Sequence, residues 1–259
     1  MAATTRRSVL SDLQMQAFDG LVLSDAHLKQ SGNSSFAMSV KYYGFVAAVE
    51  KVLPLAWHLL RHYILPVDKR TGKNYEGWSL SSTADLFLRD QRARWYPKNK
   101  KIVPRDIRIT PTCLLWWYIG DGSLAKKPSR PKYRRVILCT DCFTDEEIEF
   151  LMGLLRSELG NDSIYEEEQH IVIAKNALCN FVKYIGTKSP VPEYNYKFDF
   201  GQYENPDYFR ESWSNRVSVR NFGDRMVKIN RKPVICIETQ QVYPSLRKQP
   251  MRSAIAYLP

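Results

Sequence analysis

The fold of this chain is decided by residues 112–123, which read TCLLWWYIGDGS. Thr110 can cap the start of a helix here, and Pro111 can take the first helical position, where a missing N–H costs nothing. The end of a helix carries partial negative charge, so Asp121 is misplaced there unless a cation compensates. The stretch therefore predicts an apolar helix that delivers a carboxylate to a metal site. A buried core helix followed by a turn at Asp121-Gly122 is the alternative.

A second copy of this pattern lies upstream and favours the metal site. Residues 11–24 have helical spacing and end at Asp25, which lies 96 residues before Asp121. One side of this predicted helix carries small residues, which allow another helix to approach closely: Ala17, Gly20 and Ser24. We therefore expect two paired apolar helices, each ending in an aspartate.

The elements around the two helices also repeat. In the first part we predict a strand at 36–40 and a helix at 43–62 that is interrupted near Pro54. A strand at 75–80 follows, and then a helix that begins with a capping box at Ser82-x-x-Asp85 and ends at Trp95. In the second part a segment rich in proline and basic residues at 126–132 precedes a predicted strand at 134–140. A helix follows from the Thr144-x-x-Glu147 capping box to Leu159, then a strand pair at 164–174 and a helix at 176–185. The fold class is therefore α+β, with duplicated αββαββα halves related by a pseudo-twofold axis. The predicted boundaries are 1–104 for the first half, 105–200 for the second half and 201–259 for a basic extension.

Composition and charge indicate a nucleic-acid partner. The chain has 259 residues and a net charge of +11, and 44% of its residues are hydrophobic, which describes a folded protein. Between Arg92 and Arg135 there are 13 lysines and arginines against two acids, whereas between Asp145 and Glu168 there are nine acids against one arginine. A basic stripe on one side is typical of a protein that binds a polyanion, and a merely solvated basic surface is the alternative. No apolar run is long enough for a membrane span, and residues 1–10 lack the apolar core of a signal peptide, so we expect an intracellular, non-secreted protein.

The cysteines and histidines do not predict a metal centre. Five cysteines form an odd, scattered set, which is expected of reduced thiols. Cys139 and Cys142 form a C-x-x-C pair without a second pair to complete a zinc site. None of the four histidines lies at ligand spacing from that pair in the sequence. A structural metal is therefore not expected there.

The two helix–aspartate units resemble the motifs of the LAGLIDADG homing endonucleases of the two-motif, single-chain type. The motifs are residues 18–26 (FDGLVLSDA) and 114–122 (LLWWYIGDG). Three further segments are similar to those of the intron-encoded branch: Trp95-Tyr96 followed by residues 100–104, Cys139-Thr140 followed by Phe143-Thr144, and Tyr196-Lys197. The resemblance therefore covers about residues 12–200. Two departures stand out: Ala26 replaces the usual final glycine, and Trp116 stands where a small residue normally lets the helices pack, so helix contact there is expected to be looser or offset.

The resemblance implies a fold and a site. The fold would be a saddle of two antiparallel sheets that straddle double-stranded DNA, with the motif helices at the interface. Asp25 and Asp121 would be the catalytic metal ligands, one for each scissile phosphate, and the carbonyls of Ser24 and Gly120 would complete the metal shell. Hard oxygen donors suit Mg²⁺, with Mn²⁺ or Ca²⁺ as substitutes. The implied activity is site-specific double-strand cleavage of a long pseudo-palindromic DNA site by a monomer.

Further residues follow from the same resemblance. A lysine after the last helix of each half would assist catalysis: Lys197 in the second half and Lys101 in the first, with Lys98 and Lys100 as competitors. Plain phosphate contact or solvation is the alternative for each lysine. Strand residues on the concave face would contact the DNA: Lys29, Gln30, Asn33, Ser35 and Ser39 in the first half, and Ser123, Lys126, Arg130, Lys132 and Arg134 in the second.

The remaining expectations concern the tail and the alternatives to cleavage. Residues 232–247 resemble the start of a nuclease-associated DNA-binding module, and we interpret 201–259 as a truncated form of it, with an unstructured tail as the alternative.

An intron RNA maturase, with or without DNA cleavage, is the alternative function, and a catalytically silent DNA-binding regulator is a third. Retention of both aspartates argues against the third.

Overall fold

The computed structural model describes residues 7–30, 33–127, 130–160 and 163–205, and five short strands beyond residue 217. The chain divides into two compact units, Met1–Pro206 and Asp207–Pro259. Within the described residues, no helix is long and apolar enough to cross a membrane. The first unit contains both predicted halves.

Each half of the first unit has the predicted order αββαββα. In the first half this order is α1 (Asp12–Leu23), β1 (His27–Lys29), β2 (Ser35–Val40), α2 (Tyr43–Val52), β3 (Trp57–Ile64), β4 (Glu76–Ser82) and α3 (Leu86–Trp95). In the second half it is α4 (Pro111–Asp121), β5 (Gly122–Lys127), β6 (Arg130–Cys139), α5 (Asp145–Leu159), β7 (Ile164–Glu167), β8 (His170–Ala174) and α6 (Lys175–Ile185). Both sheets are antiparallel and have the same strand order, β1-β2-β4-β3 and β5-β6-β8-β7. The predicted fold class is confirmed.

The caps explain where the helices begin. Ser11 and Thr144 form complete capping boxes with Gln14 and Glu147. Thr110 lies directly before Pro111, and its hydroxyl accepts a hydrogen bond from the Cys113 N–H. The starts of α4 and α5 are therefore set by local sequence, as predicted, and the capping box at Ser11, which was not predicted, sets the start of α1 in the same way.

Two local predictions are wrong. Residues 57–64 form the strand β3 and not the end of a helix; they pair with β4 along the edge of the first sheet. The N-cap of α3 is Asp85, which accepts from the Phe87 N–H, whereas the Ser82 hydroxyl accepts from the Phe36 N–H of the neighbouring strand. In both cases tertiary contacts override a local pattern. The basic segment at 126–132 contributes its first residues to β5 and its last residues to β6.

The two motif helices pack closely along their small residues. A Cβ on Gly20 would lie 2.2 Å from the carbonyl oxygen of Cys113 and 3.0 Å from the Cβ of Trp116, so only glycine fits there. The indole of Trp116 turns away from this contact and stacks on Phe45 of α2, with ring centroids 5.9 Å apart and planes 11° apart. The expected loosening at Trp116 is therefore wrong, because Gly20 supplies the space.

A buried ion pair fastens α1 to the end of the first half. Asp19 is 6% exposed and accepts from two guanidinium nitrogens of Arg94, at 2.6 and 3.1 Å. The indole N–H of Trp95 donates to the same carboxylate at 3.3 Å, and Arg94 also binds Asp106. A bidentate pair of this kind fixes the geometry of α1 against α3 and the linker between the halves.

The described residues of the second unit form two small antiparallel sheets. One pairs β9 (Ser218–Phe222) with β10 (Arg225–Ile229). The other has β11 (Val234–Cys236) between β12 (Val242–Tyr243) and β13 (Ile255–Tyr257). The β11–β12 pair falls within residues 232–247, the segment that resembles a DNA-binding module; the rest of that segment lies outside the described residues.

Candidate active site at the ends of the paired helices

The structure brings the two motif aspartates to one place. Asp25 follows α1 directly after the C-cap residue Ser24, and Asp121 is the last residue of α4. A Cβ on Gly120 would lie 2.4 Å from the Ser24 hydroxyl and 3.1 Å from an oxygen of Asp25, so the two helix ends are in contact. The close approach of Gly20 and Gly120 to the opposite helix is what allows both carboxylates to share a site.

The environment of these carboxylates disfavours their charge. Burial and the charge of Asp121 raise the pKa of Asp25 from 3.8 to about 6, although Lys197 and Lys101 oppose the shift. Burial likewise raises the pKa of Asp121, again opposed by the two lysines. Among the described residues, no hydrogen bond is donated to either carboxylate. Two half-buried carboxylates without donors are suited to hold a cation.

Two of the predicted lysines lie beside the aspartates in equivalent positions. Nζ of Lys101 donates to the carbonyl of Ser24 at 3.4 Å, and Nζ of Lys197 donates to the carbonyls of Gly120 and Ile119 at 3.0 and 2.6 Å. Burial lowers the pKa of Lys101, and it lowers the pKa of Lys197 to about 8. The competing candidates Lys98 and Lys100 are exposed.

Aromatic residues hold the lysines in place. Nζ of Lys197 lies 4.7 Å from the ring centroid of Tyr194, and the hydroxyl of Tyr118 donates to the Lys197 carbonyl. Nζ of Lys101 lies 5.6 Å from the ring centroid of Phe143. The sequence analysis did not assign Tyr118 or Tyr194 to the site, because both look like ordinary core residues in the sequence.

The donor set fits a hard divalent cation. The carboxylates of Asp25 and Asp121 and the carbonyls of Ser24 and Gly120 are all oxygen donors, which suits Mg²⁺. Each of these carbonyls accepts from a lysine, and a carbonyl oxygen has a second lone pair for another partner.

The sequence profile of the LAGLIDADG DNA endonuclease family matches residues 15–178, which contain both helices and both aspartates. The chain belongs to this family. A curated relative, an uncharacterized protein of Methanocaldococcus jannaschii, is 32% identical over 144 residues. That match covers 56% of this chain, and the chain spans 56% of the relative's length.

A solved structure of a homing endonuclease shares the fold. The chain superposes on the homing endonuclease I-WcaI bound to its DNA recognition sequence with a TM-score of 0.66 and 20% sequence identity. The match covers 75% of this chain and 89% of the other. At this identity the likeness establishes the fold.

In the first LAGLIDADG half, strand alternation separates a helix-packed face from an open face. Phe36, Met38 and Leu80 are buried in the core, so the residues between them point to the open side. Lys29, Ser35 and Ser39 lie on this open face, as predicted, but Ser35 is only 8% exposed and offers little surface to a base. Gln30 is exposed next to Arg92, and Asn33 lies in the turn before β2.

In the second LAGLIDADG half, fewer predicted DNA contacts reach the open face. Ser123 lies on it, opposite Ile137. Lys126 and Arg134 are cross-strand neighbours on the opposite face of the sheet, which also carries buried Val136. Both form ion pairs with Asp199. Lys132 is exposed, and the side chain of Arg130 lies outside the described residues.

Three residues that the sequence analysis did not select lie on the open faces. They are His27 and Arg61 in the first half and Arg135 in the second. Burial, Lys29 and Lys101 lower the pKa of His27, which disfavours its charged form. Strand alternation would have identified Arg61 once residues 57–64 were assigned as a strand.

Sequence spacing connects no histidine with Cys139 and Cys142, but the structure places His170 beside Cys139. Cys139 and His170 are cross-strand partners at one end of the β6–β8 ladder. Asp141 lies beside both, so the three side chains form a cluster next to the second motif aspartate. Antiparallel pairing creates this proximity, which sequence spacing does not show.

Proposed function

We propose that this protein is a site-specific DNA endonuclease that cleaves both strands of a long, pseudo-palindromic duplex with a divalent cation. The observation that carries the proposal is the meeting of Asp25 and Asp121 at adjoining helix ends, each with a lysine on the carbonyl that precedes it. The family membership and the net charge of +11 support the same reading.

The pseudo-twofold arrangement fits a duplex, because the two strands of DNA are also related by local twofold symmetry. Each aspartate would serve one scissile phosphate. A bound Mg²⁺ would supply Lewis acidity to the phosphate and activate a water molecule. Lys101 and Lys197 would add positive charge beside the carboxylates, where charge develops on the phosphate during cleavage.

The open sheet faces would bind the duplex. Lys29, Arg61 and Arg135 place positive charge on these faces, and Ser39 and Ser123 add small polar groups. Arginines can bind phosphates or guanine edges, so these residues could contribute to affinity and to specificity. The small second unit carries basic residues and would extend the DNA contact as an accessory arm.

The test is a selection of cleaved duplexes from a random DNA library with Mg²⁺, followed by assays of Asp25→Asn and Asp121→Asn on the selected site. We expect the parent to cut both strands, and we expect each variant to lose double-strand cleavage while it still binds the site. Replacement of an acid by its amide keeps the shape of the side chain and removes the charge.

Two outcomes would contradict the proposal. If either variant cut both strands as fast as the parent, the catalytic role assigned to Asp25 and Asp121 would be wrong. The parent could bind a structured intron RNA and cut no duplex, which would favour the maturase alternative. Lys100→Met serves as a control for the loss of a charge near the site, because Lys100 is exposed and lies next to Lys101. This variant should cut both strands as the parent does.

A further inference from the structure

The cluster of Cys139, Asp141 and His170 contains a thiol, a carboxyl and an imidazole. The sulfur of Cys139, an oxygen of Asp141 and a ring nitrogen of His170 all lie within 4.8 Å of one another. Cys139 and His170 are half-buried, and Asp141 is exposed, so the cluster is open to solvent on one side. Neither Asp25 nor Asp121 is a member of it.

The distances match those between ligands of one metal ion. Sγ of Cys139 lies 3.2 Å from Oδ2 of Asp141, and Nδ1 of His170 lies 3.3 Å from Oδ1 of the same carboxylate. In a tetrahedral zinc site with bonds of about 2.0–2.3 Å, neighbouring ligand atoms are roughly 3.3–3.8 Å apart. The side chains therefore already stand at ligand spacing.

One ligand atom is buried but makes no hydrogen bond. Nδ1 of His170 lies 3.3 Å from Oδ1 of Asp141, and neither this contact nor any other with a described residue forms a hydrogen bond. An unsatisfied buried nitrogen normally costs free energy, unless an ion or another partner completes its bonding. The nitrogen points toward the carboxylate and the thiol, which is where a cation would be held.

The backbone around the cluster is held in place by local contacts. Register of the β6–β8 ladder sets Cys139 opposite His170, and the buried hydroxyl of Thr140 donates to the carbonyl of Gln169. Glu168 and Gln169 both have positive φ, at 53° and 59°, in the two-residue turn that delivers His170. Such a turn normally takes glycine or asparagine, so the local conformation is strained and is maintained by its surroundings.

We propose that Cys139, Asp141 and His170 form a binding site for Zn²⁺ or a similar thiophilic divalent cation, separate from the hard-oxygen site at Asp25 and Asp121. A thiolate and an imidazole select zinc over Mg²⁺, and three protein ligands leave a fourth position for water or a DNA group. Binding converts the thiol to a thiolate and releases one proton to solvent.

The site is particular to the second half. The corresponding end of the β2–β4 ladder pairs Val40 with Trp78, and neither residue can bind a metal. The cation would tie the end of β6, the segment that leads into α5, and the start of β8 together. That segment includes Phe143, which lies against Lys101, so the cation would also stiffen one wall of the candidate active site.

The experiment uses the reduced full-length chain, freed of metal, and titrates it with Co²⁺ as a spectroscopic probe for zinc. We expect a thiolate-to-cobalt charge-transfer absorption and the visible bands of a tetrahedral ion, saturating at one equivalent and displaced by Zn²⁺. Cys139→Ser should abolish the charge-transfer band, and His170→Gln should weaken cobalt binding by at least about tenfold.

Matched controls separate this site from other thiols and from the proposed nuclease site. Cys142→Ser and Cys179→Ser should keep the band, because neither thiol belongs to the cluster. Asp121→Asn should also keep it, so a failure of the proposed nuclease function would leave this result standing. Asp141→Ala changes an exposed residue and serves if Cys139→Ser fails to fold; it should lower the affinity for zinc and shift the visible bands.

A parent protein without a thiolate band would overturn the proposal. A band that survives Cys139→Ser, or one that is lost in Cys142→Ser, would also overturn it. Thermal unfolding provides a second readout: Zn²⁺ should raise the unfolding temperature of the parent and leave that of Cys139→Ser unchanged. Equal stabilisation of both proteins by zinc would contradict a cluster-specific site.

Discussion

Lys101 and Lys197 make the same contact in the two halves of the protein. Each donates to the carbonyl of the residue before a motif aspartate, Lys101 to Ser24 at 3.4 Å and Lys197 to Gly120 at 3.0 Å. Lys101 comes from an irregular segment after α3, and Lys197 comes from a short 3₁₀ helix, Pro192–Phe198, after α6. The pseudo-twofold relation therefore extends beyond the α-helices and sheets to the site itself.

This equivalence predicts a shared role for the two lysines in turnover. Lys101→Met and Lys197→Met should each lower kcat for cleavage by about 10²-fold, because a positioned charge beside the phosphate is lost. The affinity for DNA should change by less than about threefold, since each lysine is only one of many basic groups. Single-turnover cleavage and binding assays measure the two effects. A loss of affinity without a loss of kcat would make the lysines simple phosphate contacts.

The raised pKa of Asp25 predicts an acid limb in the cleavage profile. Below pH about 6 the carboxyl is protonated, so it cannot bind a cation, and the rate at limiting Mg²⁺ should fall about tenfold per pH unit. Because protons and Mg²⁺ compete for the same oxygens, raising Mg²⁺ should move the limb to lower pH. An acid limb that does not move with Mg²⁺ would show that a different group controls it.

The same pKa predicts a stability effect in the metal-free protein. The folded-state pKa of Asp25 lies above its usual 3.8, so its contribution to stability is fully present below pH about 4 and is lost as the pH rises through about 6. Asp25→Asn should therefore raise the free energy of unfolding by about 2 kcal/mol at pH 8 and by less at pH 5. Urea unfolding at the two pH values, with a chelator present, measures the difference. An equal effect at both values would mean that the carboxyl charge is not the cause.

Close helix packing predicts opposite effects of alanine at two glycines. Gly20→Ala should lower the free energy of unfolding by about 2–3 kcal/mol, because its Cβ would meet the backbone of Cys113 at 2.2 Å. Gly153→Ala in α5 has nothing within 4 Å and should raise the free energy of unfolding by about 0.5–1 kcal/mol. Chemical denaturation of both variants tests the pair. A tolerated Gly20→Ala would show that the helices can separate without cost.

The open face predicts which arginine contacts DNA. Arg61→Ala, on the open face of β3, should weaken DNA binding and reduce the slope of log affinity against log salt by about 1. Arg89→Ala is the matched control: Arg89 is an exposed residue of α3, and α3 packs against β1 and β2. Binding at several salt concentrations measures both slopes. Equal slopes for Arg61→Ala and the parent would remove this face from the interface.

Sequence patterns alone predicted the αββαββα repeat, the caps that start α4 and α5, and the pair Asp25 and Asp121. These features are local: capping boxes, apolar periodicity and a repeated motif are set by residues within a few positions of one another. The position of Lys197, after the last helix of the second half, was predicted from the family resemblance.

Which distant residues meet depends on the whole three-dimensional fold. Residues 57–64 form an edge strand because β4 pairs with them, and α4 packs closely at the Cβ of Trp116 because Gly20 on the opposite helix has no side chain. Cys139 and His170 meet because antiparallel register joins positions 31 residues apart. Strand pairing and helix contact depend on the whole fold, whereas a sequence pattern reports only what its neighbours along the chain can do.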